Sequence, residues 1–180
     1  MFVLGVDPGV SRCGYCVLRV AGQGASANHP VAVALGVITT PPDQPLPARL
    51  AELQADFRSL IAEHRPRVVA IERVLFQVNV QTAMSVGQAS GVVMAEAASA
   101  GAHVVEYSPN QVKEAVTGFG AADKQQVQEM VQMLLGLATP PRPADAADAA
   151  AVALCHVAHA GSAALVPGST APVSTARSGR

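Results

Sequence analysis

The sequence predicts an α/β fold, a mixed sheet flanked by helices, from three observations. Residues 2–7 are an apolar run that ends on one carboxylate, Asp7, and turns through Pro8-Gly9 into a second strand-like run at 13–20. Residues 67–73 repeat that shape, an apolar run ending on Glu72, after a stretch of helical periodicity. A strand that follows a helical crossover is best placed parallel in the same sheet. The composition completes the case: 180 residues, half of them hydrophobic and only 3% aromatic, make one domain whose core must be filled by Ala, Val and Leu.

The elements follow in order. Alternation in the first strand puts Val3, Gly5 and Asp7 on one face and Phe2, Leu4 and Val6 on the other. After the returning strand and a Gly/Ala/Ser/Asn loop at 21–30, residues 31–40 read as a third strand. Pro41, Pro42 and Pro45 delay the first helix to about 47–64, where Leu50, Leu53, Phe57, Leu60 and Ile61 form its apolar stripe. Strand four is 67–73. Residues 79–100 form a helix rich in Ala, Met and Val whose Gly87 and Gly91 leave two readings open, a buried core helix or a dimer helix. Strand five is 103–107, and helices follow at 110–116, 123–137 and 144 to about 159. The folded domain is therefore expected at 1–160. The Ser, Thr, Pro and Gly of 161–180 predict a disordered tail.

Composition also excludes classes. No apolar run is long enough to span a membrane, the best being broken by Glu96, and the basic start and cleavage site of a signal peptide are missing. A cytoplasmic protein without a membrane partner is expected. Cys13, Cys16 and Cys155 do not make a disulfide framework. Cys13 and Cys16 invite a zinc reading with Cys155-His156, but thiols three apart on a strand face opposite ways, so buried free thiols are expected. The net charge of −1 argues weakly against a nucleic-acid partner, unless the 12 Lys and Arg are clustered.

The chemistry lies in the acids. Asp7 and Glu72 are strand-end carboxylates at the same sheet edge, and a buried charge is costly without a partner. Asp145 and Asp148 share one helix face in a stretch that is otherwise all Ala, small enough to lie against a sheet. Each acid has a bland reading: Asp7 as a turn cap, the helix acids as first-turn residues worth ~0.3–1 kcal/mol against the helix dipole. Together, four converging acids would repel strongly unless divalent cations bind them. Oxygen ligands indicate Mg²⁺ or Mn²⁺, and two such ions ~3.5–4 Å apart suit phosphodiester hydrolysis.

Four segments in order, Gly5-Val6-Asp7-Pro8-Gly9, Ala70-Ile71-Glu72-Arg73-Val74, Gln111 through Val127, and Ala144-Asp145-Ala146-Ala147-Asp148-Ala149, resemble the RuvC family of Holliday junction resolvases over about residues 2–157. The resemblance implies an RNase H-like fold, a five-stranded mixed sheet with three antiparallel and two parallel strands. It implies a homodimer that nicks a four-way DNA junction symmetrically, leaves 5′-phosphate and 3′-hydroxyl ends, and depends on Mg²⁺. It also implies a preference for short sequences at the cut and cooperation with the RuvA–RuvB branch-migration complex in recombination and repair. Asp7, Glu72, Asp145 and Asp148 carry over as the catalytic, metal-binding cluster.

Lys113 and Lys124 match the family's phosphate-contacting lysines; the plain alternative is a solvated lysine. The family places a base-contacting aromatic just after Arg73; here that segment holds Leu75, Phe76 and Asn79, and either Leu75 or Phe76 fits the role. Phe76 fits a dimer contact equally well. Arg73, Arg12 and Phe119 are weaker candidates for DNA contact, and Arg12 fits a brace for the hairpin as well. Competing readings are an actin-like ATPase, for which the chain lacks a second half, a YqgF-type nuclease, and a junction-binding scaffold without catalysis.

Overall fold

A computed structural model describes residues 1–21, 29–73 and 80–163. The strands are β1 (Phe2–Asp7), β2 (Arg12–Arg19), β3 (Val31–Thr39), β4 (Val68–Glu72) and β5 (His103–Tyr107). The helices are α1 (Leu46–His64), α2 (Val80–Ser99), α3 (Pro109–Thr117), α4 (Lys124–Leu134) and α5 (Ala144–Ala163). The sheet order is β3-β2-β1-β4-β5. β1, β2 and β3 pair antiparallel, and β4 and β5 run parallel to β1, as expected.

The alternation of β1 divides the core in two. Leu4 and Val6, with Val17, Val69 and Ile71, pack against Leu53, Phe57 and Ile61 of α1 and Ala89, Val93 and Ala97 of α2. Val3, Cys16, Leu18 and Ala70 pack on the opposite side against α3, α4 and α5. Cys13 and Cys16 fall into different halves, all three cysteines are buried and free, and His156 is hydrogen-bonded through Nδ1 to the Tyr107 hydroxyl at 2.9 Å. The zinc reading therefore has no converging ligand set.

Helix α5 is the central packing element of the second half. Ala146, Ala147 and the whole run Ala149–Ala153 are fully buried, because the helix lies between the sheet and helices α3 and α4. Its approach to the sheet is set by two strand glycines. A Cβ at Gly5 would lie 2.7 Å from the Ala153 Cβ and nearer still to the Ala149 carbonyl oxygen. One at Gly14 would strike the Asp145 carbonyl. The face that Gly5 shares with Val3 and Asp7 is thus filled by helix backbone.

Helix ends differ from expectation where the local chemistry is subtle. α4 stops at Leu134, where Leu135 is the C-cap and Gly136 takes φ 62°, three residues before the expected end. Asp123 is not its first residue but its N-cap. α5 runs through Gly161 to Ala163, past the expected end at His159. Residues 164–180, most of the expected tail, lie outside the described residues.

Gly5→Ala should destabilise the protein by about 1–3 kcal/mol, the usual cost of overpacking a core. The check is a lowered thermal midpoint; an unchanged one would refute the close-contact account of α5.

Candidate active site

Parallel pairing of β1 with β4 puts Val6 opposite Ile71, so Asp7 and Glu72 end their strands side by side. α5, held down at Gly5 and Gly14, carries Asp145 and Asp148 over the same edge. Two helices bring the cations. Ser108 caps α3 by accepting from the Gln111 amide at 3.3 Å, while the Gln111 side chain accepts from the Ser108 amide at 2.9 Å. Asp123 and Gln126 repeat this arrangement on α4, both bonds at 2.9 Å. These reciprocal caps fix the helix starts, and with them Lys113 on α3 and Lys124 at the first position of α4. Both boxes, Ser-x-x-Gln and Asp-x-x-Gln, stand in the sequence and were readable there.

The result is a cleft of about 250 Å³ whose polar lining is Asp7, Glu72, Asp148, Lys113 and Lys124. Those are the only two lysines in the chain. Three of the four expected acids line the cleft. Asp145 stands at its margin, where its carboxylate accepts from Arg12 Nε at 3.0 Å and Nη2 at 2.8 Å. Lys124 Nζ donates to Asp148 at 2.7 Å. Burial first, then the charges of Glu72, Asp148 and Asp145, push Asp7 up to about 7 against the pull of Lys124. Burial and Asp148 raise Glu72, while Lys124 and Lys113 lower it. Burial alone would raise Asp145, but the Arg12 guanidinium outweighs it and holds the carboxyl below its usual range.

Among the described residues, no three Asp, Glu, His or Cys side chains stand close enough to enclose one cation as they lie. The helix acids turn toward Arg12 and Lys124 instead. Both pairs are partly exposed, with the cations 49% and 60% accessible, and pairs of this kind contribute only ~0–1 kcal/mol. They are readily exchanged for a stronger charge. The donor set is all oxygen, and the mutual repulsion recorded at Asp7 is what a bound cation relieves, so these residues fit a hard divalent ion.

Arg12 does not brace the hairpin; it ties the hairpin to α5. The brace is Arg49 of α1, which donates to Thr40 Oγ1 at 2.9 Å and Ser11 Oγ at 2.6 Å, while Thr40 Oγ1 donates to the Val10 carbonyl at 2.7 Å. Sequence reading missed Arg49 because its partners lie in two other segments and no local pattern announces them. Arg73 is exposed directly after Glu72, its amide bonded to the Tyr107 carbonyl at 2.8 Å. Leu75, Phe76 and Asn79 lie outside the described residues. A second cleft, between α1 and α2, contains Glu96, but Arg58 and Gln54 already hold that carboxylate.

The sheet order and the acids at its carboxyl edge define an RNase H-like fold with an acidic site. The chain belongs to the RuvC family: the family model for crossover junction endodeoxyribonuclease RuvC matches residues 3–156. A relative of that name from Salinispora arenicola is 48% identical over 162 residues, 90% of each chain. One from Rhodococcus jostii is 53% identical over 156 residues, covering 87% of this chain and 80% of the relative. The Thermus thermophilus RuvC structure matches with a TM-score of 0.82 at 37% identity, covering 91% of this chain and 97% of that one. T. thermophilus RuvC in complex with Holliday junction substrate matches at 0.80 and 34%, covering 90% and 96%.

The raised value of Asp7 has a consequence for stability. Its folded value lies above the ordinary value near 3.8, so the folded state holds a proton that the unfolded state has released between about pH 4 and pH 7. Stability contributed by that proton is complete below pH 4 and is lost as pH rises to 7. With chelator present, Asp7→Asn should therefore stabilise the protein at pH 7.5 by roughly 1–3 kcal/mol and give no advantage at pH 4. Thermal melts at both pH values measure this; a variant no more stable than wild type at pH 7.5 would contradict the crowding of acids.

Proposed function

We propose that this chain is a structure-specific endodeoxyribonuclease that resolves four-way DNA junctions by paired symmetric nicks, leaving 5′-phosphate and 3′-hydroxyl ends, in homologous recombination and DNA repair. The observation that supports this best is the cleft itself: three carboxylates and both lysines of the chain on one sheet edge, in a chain that aligns over most of its length with a RuvC solved on a Holliday junction. The nuclease unit comprises the expected residues 1–160 together with the end of α5 at Ala163. Action in the cytoplasm fits the described residues, no helix of which is long and apolar enough to cross a membrane.

Asp7, Glu72 and Asp148, with Asp145 from the margin, would hold Mg²⁺, or Mn²⁺ in its place, and four carboxylates suit two ions. Bound there, such ions supply an activated water and charge stabilisation for the departing 3′-oxygen. The protein's part is positional. Asp7 and Glu72 are the last residues of the adjacent strands β1 and β4, and α5 holds Asp148 opposite them. Lys113 and Lys124 offer ammonium groups to the phosphates on either side of the scissile bond. No protein nucleophile competes: the buried Cys13 thiol beside the site is pushed up to about 12, chiefly by burial, so it stays protonated and inert.

A homodimer matches the two-fold symmetry of paired cuts. On α2 the buried side is Ala83, Ala89, Ser90, Val93 and Ala97. Met84, Gly87 and Gly91 are exposed, and a Cβ on either glycine would meet nothing within 4 Å among the described residues. These glycines serve no packing contact described within the chain, which favours the dimer-helix reading over the core-helix one. Membership of the RuvC family supports cooperation with a RuvA–RuvB branch-migration complex.

Asp7→Asn or Glu72→Gln should abolish cleavage of a synthetic four-way junction in Mg²⁺ and leave junction binding intact; nicking at the wild-type rate by either would overturn the acid-cluster mechanism. Lys124→Ala should weaken junction binding and reduce the dependence of log K on log salt by about one ion. An unchanged slope in a salt titration would remove Lys124 from phosphate contact.

A further inference from the structure

We infer that Phe119 is a base-stacking residue, holding an unstacked nucleobase of the strand that enters the cleft. This rests on the junction-nuclease reading above and names a contact that neither the acids nor the lysines provide.

Phe119 sits between α3 and α4, in the short loop joining the two helices that carry Lys113 and Lys124. Phe119 is 62% exposed in a chain with four phenylalanines. Phe57, by contrast, is fully buried. The loop holds the ring out by construction. Gly118 caps α3 in the left-handed conformation, φ 75°, with its amide on the Glu114 carbonyl at 2.8 Å. The Thr117 hydroxyl lies 2.8 Å from the Lys113 carbonyl and 3.0 Å from that of Phe119, and it accepts from the Phe119 amide at 3.1 Å. The Phe119 carbonyl accepts from the Ala122 amide at 3.0 Å. Both backbone polar groups of Phe119 are thus satisfied, so the ring projects from a fixed base rather than a loose tip.

An apolar ring fixed in solvent gains nothing for folding. On the loop that joins the helices carrying Lys113 and Lys124, the two lysines assigned above to phosphate contact, it has a ready ligand. Every base has an apolar face, and pairing a cationic track with an aromatic platform is the general solution for holding single-stranded nucleic acid. The bases at a strand exchange point are those that can be unstacked at lowest cost. The ring needs no sequence-specific hydrogen bond, so its contribution is affinity and placement of the strand rather than base identity. Preorganisation by Thr117 and Gly118 lowers the entropy lost on binding.

The chain contains no tryptophan, so Phe119→Trp introduces a sole indole emitter. Its emission should be quenched when a four-way junction binds, with binding followed independently by anisotropy of a labelled junction. Phe119→Ala should bind the junction roughly 5- to 100-fold more weakly, with its melting temperature and salt slope unchanged, and Phe119→Trp should retain the affinity. A neutral stacking contact leaves the slope alone, whereas loss of a phosphate contact does not. Junction binding with no change in indole emission, or wild-type affinity in Phe119→Ala, overturns the inference. Failure of the wild-type protein itself to bind the junction overturns the junction-nuclease reading on which it rests.

Discussion

The structure depends on how closely α5 can approach the sheet. Gly5 and Gly14 supply the depth on the strand side, and the run Ala146–Ala153, broken only by Asp148 and Val152, supplies the flat surface on the helix side. A helix packed at ordinary distance on larger side chains would lift Asp148 away from Asp7 and Glu72. The same small residues leave little apolar area per residue, and the protein offsets this by burying α5 all round over Ala149–Cys155, beneath α3 and α4. The packing that places the acids is therefore also the packing that seats the helices carrying both lysines.

Crowding the acids has an electrostatic cost that the fold meets unequally. Asp145 is fully answered by Arg12, and Asp148 by Lys124, each through a partly exposed pair. Among the described residues Asp7 and Glu72 form no such ion pair and bear the cost as raised proton affinity. This asymmetry follows from geometry. The strand-end acids cannot swing away, because a strand projects its side chains at fixed intervals, while the helix acids reach past the edge to flexible cations. The rigid pair defines the site, and the pairs with Arg12 and Lys124 are weak enough to yield to a cation or a phosphate.

Much of this was legible in the sequence, for identifiable reasons. β1 and β4 are buried on both sides, so their apolar runs and terminal acids stand out, and the parallel crossover puts the two acids side by side. The Ala-only context of Asp145 and Asp148 announced a tightly packed helix. What escaped was contact between distant segments: the Arg12–Asp145 pair spans 133 residues, and the Arg49 brace joins α1 to two other segments. The displaced position of Asp145 escaped too, because i, i+3 spacing shows a shared helix face without showing where that face ends. The helix limits near Leu134 and His159 shifted because Gly136 ends one helix while Gly161 does not end the other, a choice made by φ and not by residue type.

The low net charge, which weighed against a nucleic-acid partner, loses its force once the acids are placed. The four acids of the site are turned inward on cations or on one another, and with them set aside cations outnumber acids. Both lysines then stand at the cleft, with Arg12 and the exposed Arg73 beside it, while on the far side Arg58 is spent on Glu96. A chain can thus be nearly neutral in sum and still present a cationic margin around an anionic centre. That pattern suits a phosphodiester: the margin attracts the backbone, and the acidic centre repels it until the acids are neutralised. Charge counted over a sequence averages the two, and only their separation on the sheet edge distinguishes them.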